Sequence, residues 1–420
     1  MNKKYLFIYT DFLIGGIQTQ LLEQCRQLKK RGNEISVVLL TKEYDVSLLN
    51  EIKAVATVYF IDDHISSVYR LKFFQRFKIF LFLSYYSVEF RKVLAEADVC
   101  HFCNLIGWFF YNLLYYRKLL CCTASFGLYH SAEIIAFERD SYFNKILISK
   151  IIDYYPVQNF MATGAVTRNV VADQYYSSQN DVFLLKMGVP IHKSFLSKGK
   201  GLKFKIISIG RLVDFKTYNL SMLQVMRELI DDGIDAEYCI YGNGPLSGEI
   251  NSKIKELGLR DCVHLKDNIA YDKLGDIIDS ADCFVGSGTT LILAAGRSCP
   301  SIIGIDSLKE PLSYGYIYET EGQYIQEDGL KYQKSKITDI VKSLFNCSDE
   351  DYNKIRKKNY IRANEFSLEK SSKDFDDFHD HLVPITKLRF LSIIHIYGVL
   401  VFSIFVSFFK DQKVAKSYES

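Results

Sequence analysis

The chain has 420 residues, of which 48% are hydrophobic, 24% charged and 14% aromatic, with a formal net charge of +3. That length exceeds the size at which one core usually keeps growing, so two domains are expected, and the hydrophobic share excludes a disordered chain. The small net charge gives no basis for a nucleic-acid partner, which would call for a basic domain and a reading motif.

In chain order, "MNKKYLFIYTDFLIGG" has a basic start, but its apolar run is about one strand long and breaks at Asp11. It is therefore no cleavable signal, and the N-terminus is expected to stay in the cytoplasm. "KYLFIYT" predicts a buried strand, "IQTQLLEQCRQLKKRG" an amphipathic helix stopped by Gly32, and "EISVVLL" a second strand, which together make a parallel α/β unit. "TVYFI", "DVCHF", "LLCCTASF", "NFMAT" and "DVFLLK" are further strands, and the Pro, Gly and Lys content of 188–203 marks a linker. A second set follows: strand "FKIISIG", helix near 218–232, strand "AEYCIYG", helix near 246–257, strand "CVHLK", helix "YDKLGDIIDSA", strand "DCFVG", a helix from 289, and strand "PSIIGI". Helical patterns take over after 330. Two doubly wound α/β domains in series are expected, over 1–195 and 196–380, followed by a hydrophobic membrane-associated helix over 384–410.

The ten cysteines lie mostly inside apolar runs and read as core thiols of a reducing compartment. Cys100 and Cys103 flank only two residues, but no second pair at zinc spacing accompanies them, so a metal site is the minor reading.

Four stretches could carry chemistry. After the first strand, Gly15 and Gly16 lead directly into a helix whose N-terminal amides can face an anion, although a tight turn would look the same. The three spaced glycines of a dinucleotide fingerprint are absent, which speaks against a dehydrogenase. In "SIGRLVDFKTYN", Arg211 and Lys216 stand in a loop between strand and helix, where two cations suit a diphosphate or form a solvated basic loop. "IYGNGPLSGEI" ends a strand with Gly242, Gly244 and Pro245, a turn that admits a flat ring against the backbone or is a turn alone. "GSGTTLILAAGRSCP" has the glycine spacing of a phosphate cradle: Gly286, Ser287, Gly288, Thr289 and Thr290 open a helix with amides and hydroxyls.

Taken together, "GGIQTQLLEQCRQLKKRGNEISVVLL", "IGRLVDFKTYN", "YGNGPLSGEI", "LGLRDCVHLKDNI" and "SADCFVGSGTTLILAAGRSCPSIIG", in this order, resemble the family 4 glycosyltransferases of GT-B fold, over roughly residues 4–380. The resemblance implies two Rossmann-like domains facing across a cleft and a nucleotide-sugar donor held mostly by the second. It also implies transfer with retention of anomeric configuration, with no required metal and no cofactor. Position by position, Gly15 and Gly16 resemble the first-domain loop that meets the donor phosphates, and Arg211 and Lys216 the pair that neutralises the diphosphate leaving group. His130 in "SFGLYHSAEI" resembles the histidine that touches the donor sugar, or is a packing histidine. One departure is plain. The family has two Glu residues separated by seven, and here their positions fall on Val285 and Leu293, after a shortened segment. The site then either works with altered sugar and ribose contacts or belongs to a non-catalytic descendant. Asp306 and Glu310 lie where a loop could return a carboxylate, or are solvated loop charges.

Two segments point to a membrane. Residues 68–92 interleave Arg70, Lys72, Arg76 and Lys78 with phenylalanines, as suits an anionic bilayer surface or a packed helix with a basic edge. "IGWFFYNLLYYRK" at 106–118 adds an aromatic patch. Residues 390–409, bracketed by Arg389 and Lys410, are long enough to cross a bilayer, to lie in its plane, or to serve as a core helix. The expected function is sugar transfer from a nucleoside-diphosphate donor to a membrane-held, lipid-linked or saccharide acceptor in bacterial surface polysaccharide assembly, on the cytoplasmic face of the plasma membrane. The alternative is a non-catalytic membrane-associated binding or scaffold subunit of the same fold.

Overall fold

The computed structural model describes residues 2–13, 16–65, 84–129, 154–175, 177–269, 273–321, 328–385 and 398. They fall into two compact units: the chain up to Leu185 with the residues from Ser372 onward, and Lys186–Ser371. The division lies at 185/186 where the sequence put it at 195/196, and residues 372–380, expected in the second domain, belong to the first unit.

The first unit is built on β1 (Lys4–Tyr9), β2 (Glu34–Leu39), β3 (Thr57–Phe60), β4 (Val99–Cys103), β5 (Thr123–Leu128), β6 (Phe160–Ala162) and β7 (Phe183–Leu184). They form one sheet in the order β3-β2-β1-β4-β5-β6-β7, parallel throughout. Its helices are α1 (Gly16–Lys30), α2 (Val46–Lys53), α3 (Val88–Glu96), α4 (Asn104–Tyr116) and α5 (Ala165–Gln174). A parallel sheet is covered on both faces, so its strands read as unbroken apolar runs. Alternation then sorts them: Leu6 and Ile8 of β1 enter one core with Phe102, Phe126 and Trp108. Tyr5, Phe7 and Tyr9 enter the other with Val37 and Leu21. Helix starts are fixed by side chains that accept from first-turn amides, Asp45 from Leu48 N at 2.9 Å and Ser87 from Phe90 N at 3.2 Å. Helix α4 carries the aromatic stretch 106–118; Trp108, Phe109, Phe110 and Tyr111 are buried core residues, so this patch is interior packing and not a membrane surface.

The second unit repeats the plan with β8 (Phe204–Ile209), β9 (Ala236–Tyr241), β10 (Val263–Lys266), β11 (Cys283–Gly286) and β12 (Ser301–Ile303), in the order β10-β9-β8-β11-β12. A short antiparallel pair, β13 (Leu312–Ser313) and β14 (Ser335–Lys336), stands apart. The helices are α6 (Tyr218–Asp231), α7 (Ser247–Glu256), α8 (Leu274–Ser280), α9 (Thr289–Gly296), α10 (Ile337–Asn346) and α11 (Asp349–Ala363), with α12 (Leu368–His379) closing the chain's described helices.

The residues of α12 from Ser372 on are integral to the first unit. Lys3 Nζ lies 3.0 Å from Asp376 Oδ1 and 2.7 Å from Asp380 Oδ1. Arg31 donates to the Ser372 carbonyl at 3.1 Å, and Asn159 and Val383 exchange two hydrogen bonds of 2.9 Å. Phe378 stacks on Phe183 with centroids 4.4 Å apart. Among the described residues no helix is long and apolar enough to cross a membrane. The run 390–409, Gly398 apart, and residues 68–83 of the basic aromatic segment lie outside those residues.

Candidate functional site

In a doubly wound sheet, ligands bind beyond the carboxyl ends of the strands where the strand order reverses. In the second unit that point lies between β8 and β11, the first strand and its later neighbour. The two motifs singled out there, 210–217 and 286–290, leave these two strands.

The glycines after β8 and β9 have a mechanical cause. The strand ladder continues past the strand ends, with Gly210 N donating to Tyr241 O at 3.0 Å and Leu212 N to Asn243 O at 3.0 Å. This draws the loops so close that a Cβ on Gly242 would stand 1.9 Å from the Gly210 carbonyl oxygen, and one on Gly244 2.2 Å from that of Leu212. The space that a side chain at Gly244 would need is filled by the neighbouring loop. Its contribution is to shape the loop that carries the cations.

Arg211 is exposed and Lys216 half-buried. Lys216 Nζ folds back over Gly210, 3.0 Å from where a Cβ there would be, so the ammonium sits at the very end of β8. Neither side chain has a carboxylate partner among the described residues, whereas Arg227, Arg297 and Arg362 of the same unit are each paired with an acid.

Across the switch point, the connection from β11 to α9 is only Ser287 and Gly288. Gly288 caps the helix with φ 74° and ψ −156°, a conformation essentially reserved for glycine. Two of the expected phosphate-facing hydroxyls point inward: Thr290 Oγ1 donates to Ile209 O at 3.0 Å, and the buried Ser287 hydroxyl to Tyr218 OH at 3.4 Å. Thr289 makes no side-chain hydrogen bond among the described residues. What this helix start offers an anion is its first-turn amides, the Thr289 hydroxyl and the dipole.

Val285 is fully buried in the core of this unit with Ile206 and Ile302. As the third residue of β11 with its side chain in that core, it brings no polar group to the site. Leu293, one helical turn beyond Thr289 and Thr290, lines a cavity of about 450 Å³ with Ile191, His192, Lys193, Leu274 and Arg297, and among the described residues no carboxylate lines it. The loop of Asp306 does return: Ser307 N donates to Phe215 O and Thr217 Oγ1 to Leu308 O, which brings 306–308 against the Arg211–Lys216 loop. Glu310 is exposed beyond it.

In the first unit the corresponding switch point lies between β1 and β4. Gly16 opens α1, while Gly15 and His130 lie outside the described residues. The edge also holds residues the sequence reading passed over. Tyr9 ends β1, Tyr129 follows β5, and their hydroxyls are 3.1 Å apart. His101 of β4 lies 3.3 Å from the Tyr129 hydroxyl. Burial and the neighbouring His379 hold His101 well below the ordinary imidazole range. In the sequence this histidine is an unmarked member of the apolar strand "VCHFC". All ten cysteines are free; six are buried, and burial pushes the Cys100 and Cys283 thiols well up. Among the described residues no group of three His, Cys, Asp or Glu side chains is arranged to hold a metal.

No family model and no curated protein matches the sequence. Solved structures do match it across nearly its full length. Anabaena HepE, in complex with UDP-glucose, shares 12% identity at a TM-score of 0.63, covering 91% of this chain and 100% of its own. The lipopolysaccharide outer core galactosyltransferase WaaB shares 14% at 0.57, covering 89% and 98%. An S. aureus TarM mutant in complex with Fondaparinux, alpha-GlcNAc-glycerol and UDP shares 11% at 0.59, covering 90% and 100%. The chain therefore has the fold of the GT-B glycosyltransferases.

Proposed function

We propose that this protein is a retaining glycosyltransferase that moves a sugar from a nucleoside-diphosphate sugar to a lipid-linked saccharide acceptor in surface polysaccharide assembly. The observation that supports the reading is the second unit's switch point, where the loop after β8 carries Arg211 and Lys216, without acid partners among the described residues, and the neighbouring strand β11 leads into a helix capped by Gly288. Charge develops on the departing phosphate oxygen, and fixed cations and amides stabilise it most in the transition state. Retention needs no enzyme nucleophile when the acceptor attacks the face that the leaving group vacates and a phosphate oxygen takes its proton. We assign the sugar contact to His130. The printed ligands of HepE and TarM, UDP-glucose and UDP, support a uridine nucleotide as the first donor to test. Placement at the cytoplasmic membrane face is proposed on the sequence of 68–82 and 390–409.

The missing carboxylates at Val285 and Leu293 favour a second reading, a nucleotide-binding subunit without transfer activity. A thermal-shift panel of nucleoside diphosphates and their sugars tests both. Stabilisation by a diphosphate together with transfer of the sugar to an added saccharide acceptor supports transfer, stabilisation without transfer supports the subunit, and no stabilisation by any diphosphate overturns both.

A further inference from the structure

A buried row of hydrogen bonds crosses the first unit from α12 to the sheet edge, and its direction can be deduced. His379 Nδ1 lies 2.6 Å from the Phe375 carbonyl, which can only accept, so this nitrogen carries the ring proton. The ring is 5% exposed, and burial pulls it down to about 4, so it is neutral and Nε2 accepts. Nε2 lies 2.6 Å from Ser125 Oγ, which spends its one proton there. Ser125 must then accept from His101 Nδ1 at 2.7 Å. His101, 1% exposed and neutral, accepts at Nε2 from the Tyr129 hydroxyl at 3.3 Å, and Tyr129 accepts from Tyr9 at 3.1 Å. Because the row ends on a main-chain carbonyl, it cannot pass a proton onward and holds geometry instead.

Two further observations agree. His101 and Ser125 are direct partners in the β4–β5 register. Gly127 is the residue over which the His101 and Tyr129 rings meet: a Cβ there would stand 2.7 Å from His101 Cε1 and 2.9 Å from Tyr129 Cε2. Tyr129 is also held through its main chain, where its carbonyl accepts from Thr163 Oγ1 at 3.2 Å.

We propose that His101 and His379, each protonated on Nδ1, are positioning residues that fix Tyr129 at the carboxyl edge of the first sheet, the edge that the proposed glycosyl transfer uses. The helix contributing His379 lies at the far end of the sequence, so the chain's last described helix takes part in ordering this edge.

Two-bond 1H–15N correlation spectra of protein labelled with 15N-histidine read the tautomers. Two of the eight histidines, assigned through His101→Gln and His379→Gln, are expected to show the neutral Nδ1–H pattern; Ser125→Ala should abolish it at His101 and leave it at His379, where the Phe375 carbonyl holds the proton, and Ser125→Thr should keep it at both. With UDP-glucose as donor, Ser125→Ala and Tyr129→Phe are expected to lower kcat by about tenfold with little change in KM, and Ser125→Thr to restore it. Nε2–H on either ring overturns the proposal, as does a Ser125→Thr protein as impaired as Ser125→Ala. If the wild-type protein neither binds nor turns over any nucleotide sugar, the glycosyl-transfer reading falls, and the tautomers alone decide the placement of Tyr129.

Discussion

Thr290 Oγ1 donates to the Ile209 carbonyl at 3.0 Å, tying the first turn of α9 to the end of β8 across the switch point of the second sheet. This bond sets the separation between the helix start and the loop of Arg211 and Lys216. Thr290→Val keeps the shape and leaves the carbonyl without its partner. It should lower stability by about 1 kcal/mol, read from denaturant midpoints, and weaken UDP binding through the loosened seat. Unchanged midpoints would remove the bond from the account.

The cations should behave as ligand groups and not as structural ones. Arg211→Ala combined with Lys216→Ala should cost about a hundredfold or more in UDP affinity by calorimetry, since each charged hydrogen bond contributes about 1.5 to 3 kcal/mol. Stability should change by no more than about 0.5 kcal/mol, because neither side chain holds a carboxylate among the described residues. Unaltered UDP affinity would reject the site.

Gly242 and Gly248 are six positions apart and should respond in opposite ways. Gly242→Ala forces a methyl group to within 1.9 Å of a carbonyl oxygen and should destabilise by about 3 kcal/mol. Gly248, inside α7, has nothing within 4 Å of its would-be Cβ, so Gly248→Ala should stabilise by roughly 0.5 kcal/mol. Thermal melts of the two variants check the sign.

A glutamate placed at each of the two positions named in the family resemblance, 285 and 293, should be tolerated at one and not at the other. Val285→Glu places an unpaired charge in the core and should cost more than about 3 kcal/mol, seen as loss of cooperative unfolding. Leu293→Glu faces a cavity rimmed by Lys193 and Arg297 and should fold. Equal damage at both positions would contradict this placement.

Acid should loosen the first unit through His379. Its folded-state pKa of about 4 lies below the ordinary 6.5 because burial favours the neutral ring. The unfolded chain therefore binds the proton first. The contribution is complete above pH 6.5 and is lost as pH falls toward 4, amounting to about 3 kcal/mol. A His379→Gln protein should show a shallower decline in stability over that window.

Every strand proposed from the sequence for the two sheets, from "KYLFIYT" to "PSIIGI", is present as β1 to β12. They were legible because strands buried on both faces show as unbroken apolar runs. The motif loops could be placed for the same reason, since each follows such a run. What could not be read depends on distance in sequence. Nothing near Gly244 announces that the Leu212 carbonyl will occupy its Cβ position. Nothing near Thr290 shows that its hydroxyl turns toward Ile209. The partnership of Lys3 with Asp376 spans 373 residues, and the row from His379 to Tyr9 draws on four separate elements.

The attachment of Asp376 and Val383 to Lys3 and Asn159 also fixes an order of events during synthesis. The ribosome delivers β1 first and the helix that packs on it more than three hundred residues later, after the whole of Lys186–Ser371. A chain halted before the end of α12 would therefore lack the partners of Lys3 and Asn159 in the first unit.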